Sequence, residues 1–340
     1  MPRGLELDAL AAWLDAHHLG LRQGRLRADL VAGGRSNLTY AVDDDVHQWV
    51  LRRPPLGHVL ATAHDMAREH RVISALAGSA VPVPTPVTLC QDDTVIGAPF
   101  YLMERVAGQV LRGRAELLEV PVDARGTVSE RMIDTLAALH AVRPDDVGLA
   151  DFGRPDGFMA RQVSRWGRQL AASRSRDVPG IEALHDALAA TVPEAQRAVV
   201  VHGDYRLDNL LVRPGAWDIV AVLDWEMATL GDPLTDLGLL LVYWGNGSDG
   251  SLGSVADPPS AIDGFPDGGW LAQRYAAATG LDLSTLPWYV AFGHFKLAVI
   301  LEGIHYRWSQ GQTVGAGFDQ IGSVVPHLVA GGHDALRRTA

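Results

Sequence analysis

The chain has 340 residues, 47% hydrophobic and 20% charged, enough for one large or two medium domains with real cores and unlike collagen, coiled coil or a disordered tail. Acids outnumber bases 40 to 29, giving a net charge of −11, so a bulk electrostatic grip on nucleic acid or an anionic membrane is not expected. Cys90 is the single cysteine, which excludes an intrachain disulfide. Residues 1–20 carry Glu6, Asp8 and Asp15 in an amphipathic pattern unlike a secretory leader, and a reducing, cytoplasmic setting is expected.

In chain order, short strands are expected at Leu26–Ala32, Asn37–Val42 and Gln48–Arg53, with turns at Gly33-Gly34 and Asp43-Asp44-Asp45. A helix follows at Ala63–Ala77, stopped before Pro82 and Pro84, then strands at Thr85–Leu89 and Pro99–Val106. From Leu117 the pattern turns helical, at Ser129–His140, Gly157–Arg174 and Ile181–Val192, then returns to strands at Ala198–Asp204 and Ile219–Asp224. The remainder, Leu234 to about Leu336, reads as helices interrupted by a Gly/Pro/Asp-rich loop from Gly245 to Gly269. The apolar run Trp288–Ile304 contains His294, Lys296 and Glu302 and is expected to be a buried helix, not a membrane span. Lys296 is also the only lysine in the sequence. The expected class is α+β, with a small β-rich N-terminal lobe at 1–106 and a larger helical C-terminal lobe at 107–340.

The segment Val199-Val-Val-His-Gly-Asp-Tyr-Arg-Leu-Asp-Asn-Leu-Leu-Val212 concentrates the chemistry. An apolar strand runs into His202 and Asp204, Asn209 follows five residues later, and a second apolar run ends at Asp224. A carboxylate and an amide oxygen are hard ligands suited to Mg²⁺ that also expects phosphate oxygens, leaving another carboxylate to accept a proton from an attacking hydroxyl. A hairpin with Asp204 and Asn209 capping turns needs neither this spacing nor the second strand-end carboxylate.

The pattern His-x-Asp-x-x-x-x-Asn followed by a strand-end Asp resembles the catalytic and metal-binding loops of protein kinases and aminoglycoside phosphotransferases. With Gly33–Asn37, Val50–Pro54, Arg68–Leu76, Val81–Pro86, Leu139–Arg154, 201–237 and Ala291–His305, the chain is similar over roughly residues 28–320 to one phosphotransferase branch. That branch also occurs as the kinase-like domain fused to certain eukaryotic acyl-CoA dehydrogenases. The resemblance implies a bilobal protein-kinase-like fold, ATP, Mg²⁺, and transfer to a hydroxyl of a small molecule. It makes Asp204 the group that orients and deprotonates the acceptor, Asn209 and Asp224 the metal ligands, and His202 a structural residue behind the loop. Arg206 has two open readings: a cation for the transferring phosphoryl group, or a solvated surface arginine. Trp225-Glu226 after Asp224 departs from the kinase Asp-Phe-Gly. Asp236, at the start of an apolar helix, is expected to be structural, either accepting catalytic-loop amides or complementing the helix dipole.

The nucleotide site is expected upstream. Gly33, Gly34, Ser36 and Asn37 lie on a turn where glycines let backbone N–H groups approach phosphate. By strand alternation Val50 and Arg52 share a face, Val50 to pack on adenine and Arg52 to reach phosphates where kinases use lysine. Met66, Glu69, Ile73 and Leu76 form one helical stripe, so Glu69 is expected to pair with Arg52 or to sit at the stripe's wet edge. Glu104 to Val106 resembles the hinge whose backbone pairs with adenine.

For the acceptor, residues 158–176 hold arginines and no acid, and Arg161, Arg165 and Arg168 share one helical face. A solvated face and an anion site for a phosphate-bearing acceptor such as a hydroxyacyl-CoA are both open, the latter by association with the acyl-CoA-linked relatives. Alternative readings are a nucleotide-binding pseudokinase, a metal-dependent hydrolase and an aminoglycoside-type antibiotic kinase.

Overall fold

The structure, a computed structural model, describes residues 4–31, 37–56, 65–245, 257–311, 318 and 320–338. The chain divides into two compact units: Met1–Gly108 with Val220–Ala228, and Gln109–Ile219 with Thr229–Ala340. It is a mixed α+β fold, a small β-sheet unit and a larger helical one.

The first unit begins with α1 (Leu7–His17) and is built on an antiparallel five-stranded sheet of order β1-β2-β3-β5-β4. Its strands are β1 (Arg27–Leu30), β2 (Leu38–Asp43), β3 (Gln48–Arg53), β4 (Pro86–Cys90) and β5 (Phe100–Glu104). Alternation sorts β3 as expected: Trp49 and Leu51 join Tyr40, Val42, Phe100 and Leu102 in a core that also takes Leu10 and Leu14 of α1. The other face carries Val50 opposite Met103 and Arg52 opposite Tyr101. Helix α2 (Met66–Leu76) packs against β4 and β5. Its N-cap is Asp65, whose carboxylate accepts the Arg68 N–H at 2.9 Å.

Val220–Ala228 joins this unit through long-range bonds. Val222 N–H donates to the Pro82 carbonyl at 2.8 Å, and Arg68 Nη2 to the Ala228 carbonyl at 3.0 Å. A 3-10 turn, Trp225–Met227, lies against α2 with Trp225 buried.

The second unit contains α3 (Arg114–Glu119), α4 (Val122–Ala141), α5 (Phe158–Ala172), α6 (Ile181–Ala190), β6 (Val199–Val201) and β7 (Leu210–Val212). The chain passes back to the first unit within β8 (Ile219–Val222), then returns through β9 (Thr229–Gly231), α7 (Leu234–Trp244), α8 (Gly268–Thr279), α9 (Leu286–Ser309) and α10 (Ile321–Arg337). Helix α4 starts at Val122, earlier than the expected Ser129, because Pro121 caps it and Arg125 is buried, bonding the Val120 carbonyl at 3.0 Å and the Asp263 carbonyl. Such tertiary contacts leave no apolar period to read. Strand β9, also unexpected, is three residues long and exists by pairing antiparallel with β6.

Helix α9 is the axis of the unit, packed by α5, α6, α7 and α10 and buried on nearly every side from Trp288 to Val299. Gly238 permits the α7 contact: a Cβ there would lie 2.6 Å from the Tyr289 carbonyl carbon. Among the described residues no helix is long and apolar enough to cross a membrane.

Candidate active site

The loop after β6 is held at almost every polar group. Asp236, in the first turn of α7 and fully buried, accepts the His202 N–H at 2.7 Å with Oδ2 and the Gly203 N–H at 2.7 Å with Oδ1. Burial pushes the Asp236 carboxyl up, but His140, 3.2 Å from Oδ2, together with His202 and its amide, holds it below the usual carboxylate range. His140 is fixed in turn by the Tyr275 hydroxyl at 2.6 Å from Nδ1. The bend itself needs Gly203, whose φ is +84°.

Beyond the bend, the Asp204 N–H donates to His202 Nδ1 at 3.2 Å. Asn209, on the 3-10 turn Leu207–Asn209, donates its Nδ2 to the Asp204 carbonyl at 2.8 Å and to Asp204 Oδ2 at 3.0 Å. The Asp204 side chain stays 27% exposed. Arg206 Nε lies 3.5 Å from Asp204 Oδ2 and its Nη1 3.1 Å from Asp208 Oδ2, while the guanidinium stacks 4.6 Å from the Tyr243 ring centroid. Arg206 is therefore not a freely solvated arginine.

In the first unit, Arg52 bridges two carboxylates. Its Nε lies 3.3 Å from Glu69 Oε2 and its Nη2 donates to Asp224 Oδ1 at 2.8 Å. Glu69, 1% exposed, also receives the Tyr101 hydroxyl at 2.9 Å on Oε2 and the Asn37 amide at 2.8 Å on Oε1. Burial raises the Glu69 carboxyl above its ordinary range, against the opposing pull of Arg52 and these donors. Asp224 sits in left-handed backbone, φ +66°.

The profile of the phosphotransferase enzyme family matches residues 28–256. The chain belongs to this family. A structure from Ralstonia eutropha JMP134, described as a candidate aminoglycoside phosphotransferase, is 33% identical over 98% of both chains with a TM-score of 0.85. The fold also matches an aminoglycoside phosphotransferase, APH(4)-Ia, solved in complex with AMP-PNP and hygromycin B, at 15% identity over 95% of this chain and 98% of that one, TM-score 0.62. Acyl-CoA dehydrogenase family member 10 of Mus musculus is 36% identical over 87% of this chain and 28% of its own length. The chain spans less than half the length of the curated relatives it matches.

Set against the family, several expected residues stand elsewhere. Gly33, Gly34 and Ser36 lie outside the described residues. Asn37 is corrected from a phosphate-loop residue to a buried amide, 3% exposed, that donates to Glu69 and, at 3.2 Å, to Glu226. In the segment expected to be the hinge, the Glu104 N–H is taken by the Thr85 carbonyl at 2.8 Å and the Arg105 N–H by the Gln48 carbonyl at 3.0 Å; Val106 lies past these rungs.

The arginine face of α5 is split, because α5 packs against both α6 and α9. Arg161 reaches back to the Arg154 and Asp156 carbonyls, and Arg168 bonds Ser164 at 2.7 Å and lines a groove of about 760 Å³ walled by α5 and α6. Arg165 lies over the Trp166 ring at 5.6 Å and acts on the charge of Lys296. Arg161, Arg165 and Arg168 thus stand in three different surroundings, against the expectation that they share one anion.

The donor chemistry of Asn209 in the second unit and of Asp224 in the first, each taken by itself, suits a hard cation. With Nδ2 of Asn209 bonded twice to Asp204, its amide oxygen is the atom left to act as a hard ligand, and Asp224 is a carboxylate. His140, Tyr275 and Tyr101 carried no sequence signal of their own. Lys296 did: a lone lysine inside an apolar helix.

Proposed function

We propose that this chain is an ATP- and Mg²⁺-dependent kinase that moves the γ-phosphoryl group to a hydroxyl of a small anionic acceptor. The observation that carries the reading is the immobilised loop presenting a partly exposed Asp204, with Asn209 bonded to it at 3.0 Å. Asp204 takes the hydroxyl proton as the acceptor oxygen bonds to phosphorus and the bond to the ADP oxygen breaks. Arg206 is placed to stabilise charge on the transferring group. The amide oxygen of Asn209 and the Asp224 carboxylate would hold Mg²⁺, which when bound neutralises phosphate charge.

For the nucleotide, Val50 is the packing surface for adenine, the Glu104 carbonyl and Val106 N–H its edge partners, and Arg52 the phosphate cation, with Glu69 orienting it. Gly33, Gly34 and Ser36, outside the described residues, stay the sequence's candidates for binding phosphate.

The acyl-CoA dehydrogenase names of the relatives support an acyl-CoA-linked acceptor, and a hydroxyacyl-CoA is the first to try. Arg165 supplies positive charge of the right sign. Cationic aminoglycosides would call for carboxylates there instead.

The test is ATP consumption across hydroxyacyl-CoA esters, free hydroxy acids and kanamycin-type aminoglycosides. Asp204→Asn should reduce transfer about a thousandfold while ATP affinity stays within a few-fold. Equal loss of both would remove Asp204 from the role of base, and better turnover of polycations would overturn the anionic acceptor.

A further inference from the structure

Lys296 projects from the centre of α9 and is 6% exposed. Its ammonium donates to the Gly203 carbonyl at 2.7 Å, on the residue immediately before Asp204. Trp166 of α5 presents its ring 5.7 Å from Nζ. The charged groups facing Lys296 are Asp204 of the loop, Asp236 of α7 and Arg165 of α5. Among the described residues the ammonium makes no direct ion pair.

A buried ammonium bonded to a neutral carbonyl costs more desolvation than it returns, and a methionine would fill the same space without that cost. Stability alone therefore does not account for it. Its bond does complete the fastening of the bend: Asp236 takes the Gly203 N–H, and Lys296 takes the Gly203 C=O. The peptide planes on both sides of Gly203 are thus fastened, the His202–Gly203 plane by Asp236 and the Gly203–Asp204 plane by Lys296 on its C=O and His202 Nδ1 on the Asp204 N–H, and with them the direction in which the Asp204 side chain leaves the backbone. A compact ammonium makes this single bond at depth, whereas the broader guanidinium that serves at every other basic position would need more room and more acceptors.

We propose that Lys296 is a positioning residue for Asp204, holding the Gly203 carbonyl so that the carboxylate keeps the orientation that transfer requires. This rests on the reading of Asp204 as the base.

Because the chain has one lysine, ¹³Cε/¹⁵Nζ-lysine labelling of the full chain yields a single side-chain NMR signal. That signal should titrate below a free lysine, since burial holds the ammonium down against the support of Asp204 and Asp236. Asp204→Asn removes part of that support and should move the midpoint lower still, while Asp186→Asn on exposed α6 surface should leave it in place. A signal that titrates as a free lysine, or ignores Asp204→Asn, overturns the proposal without reference to any substrate.

In turnover, Lys296→Met should lower kcat about a hundredfold with KM for ATP within about twofold, as expected for a misaligned base. Unchanged kcat in a folded variant also overturns it. Should Lys296→Met fail to fold, Lys296→Arg and the labelled native chain carry the test. If the native chain phosphorylates nothing, the kinase reading fails while the lysine signal still decides the contact.

Discussion

Arg52 donates Nη2 to Asp224 Oδ1 at 2.8 Å, so an arginine of β3 holds the carboxylate that follows β8 directly. The same guanidinium places Nε 3.3 Å from Glu69, a two-carboxylate bridge suited to a planar fork and not to a point charge. Removing it strands Glu69 in the interior. Arg52→Met should cost about 3–5 kcal/mol in urea unfolding, and adding Glu69→Gln should recover a large part of the loss. Arg52→Lys should fall between, and a neutral effect of Arg52→Met would show that Glu69 does not depend on this partner.

Asp224 combines a candidate metal-ligand role with strained backbone. Asp224→Ala should abolish the Mg²⁺-dependent part of ATP binding in calorimetry. Asp224→Gly should lose the same binding yet be about 1 kcal/mol more stable than the Ala variant, since glycine adopts φ +66° without a Cβ clash. Binding of Mg-ATP by either variant at native strength removes Asp224 from the ligand set.

Asp236 holds two amides that have no other way to be satisfied in its place. Asp236→Ala should cost about 3 kcal/mol or more, from two buried unpaired donors and the His140 contact. Its depressed carboxyl adds a pH dependence. The stabilisation is fully present above the ordinary carboxylate range and is lost as pH falls through the lower folded value. Acid unfolding curves of native and Asp236→Ala chains should therefore converge at low pH.

His294 is buried in α9 against Gly331 and Gly332 of α10, and burial lowers its pKa from 6.5 to about 4. The unfolded chain binds the proton first, so stability is complete above about pH 6.5 and declines as pH falls toward 4, by up to about 3 kcal/mol. His294→Leu should flatten that part of the melting temperature against pH curve. An unchanged slope would locate the acid sensitivity elsewhere.

Local pattern carried much of this. The spacing of His202, Asp204, Asn209 and Asp224, the alternation that separates Trp49 and Leu51 from Val50 and Arg52, and the stripe that carries Glu69 are short-range features, and short-range geometry is set by backbone periodicity. The same periodicity did not reveal β9 or the first turn of α4, whose residues are ordered by partners distant in sequence.

The sequence by itself determined the two-part α+β class and the phosphotransferase family, because each is written in residue types a few positions apart. Tertiary structure alone decided what those residues touch. It turned Asn37 onto Glu69, split Arg161, Arg165 and Arg168 among three surroundings, and brought Lys296 to the carbonyl of Gly203 from 93 residues away. A buried polar group must find a partner or incur its desolvation cost, and which partner lies within reach is settled by how helices and strands pack, a quantity no local spacing encodes.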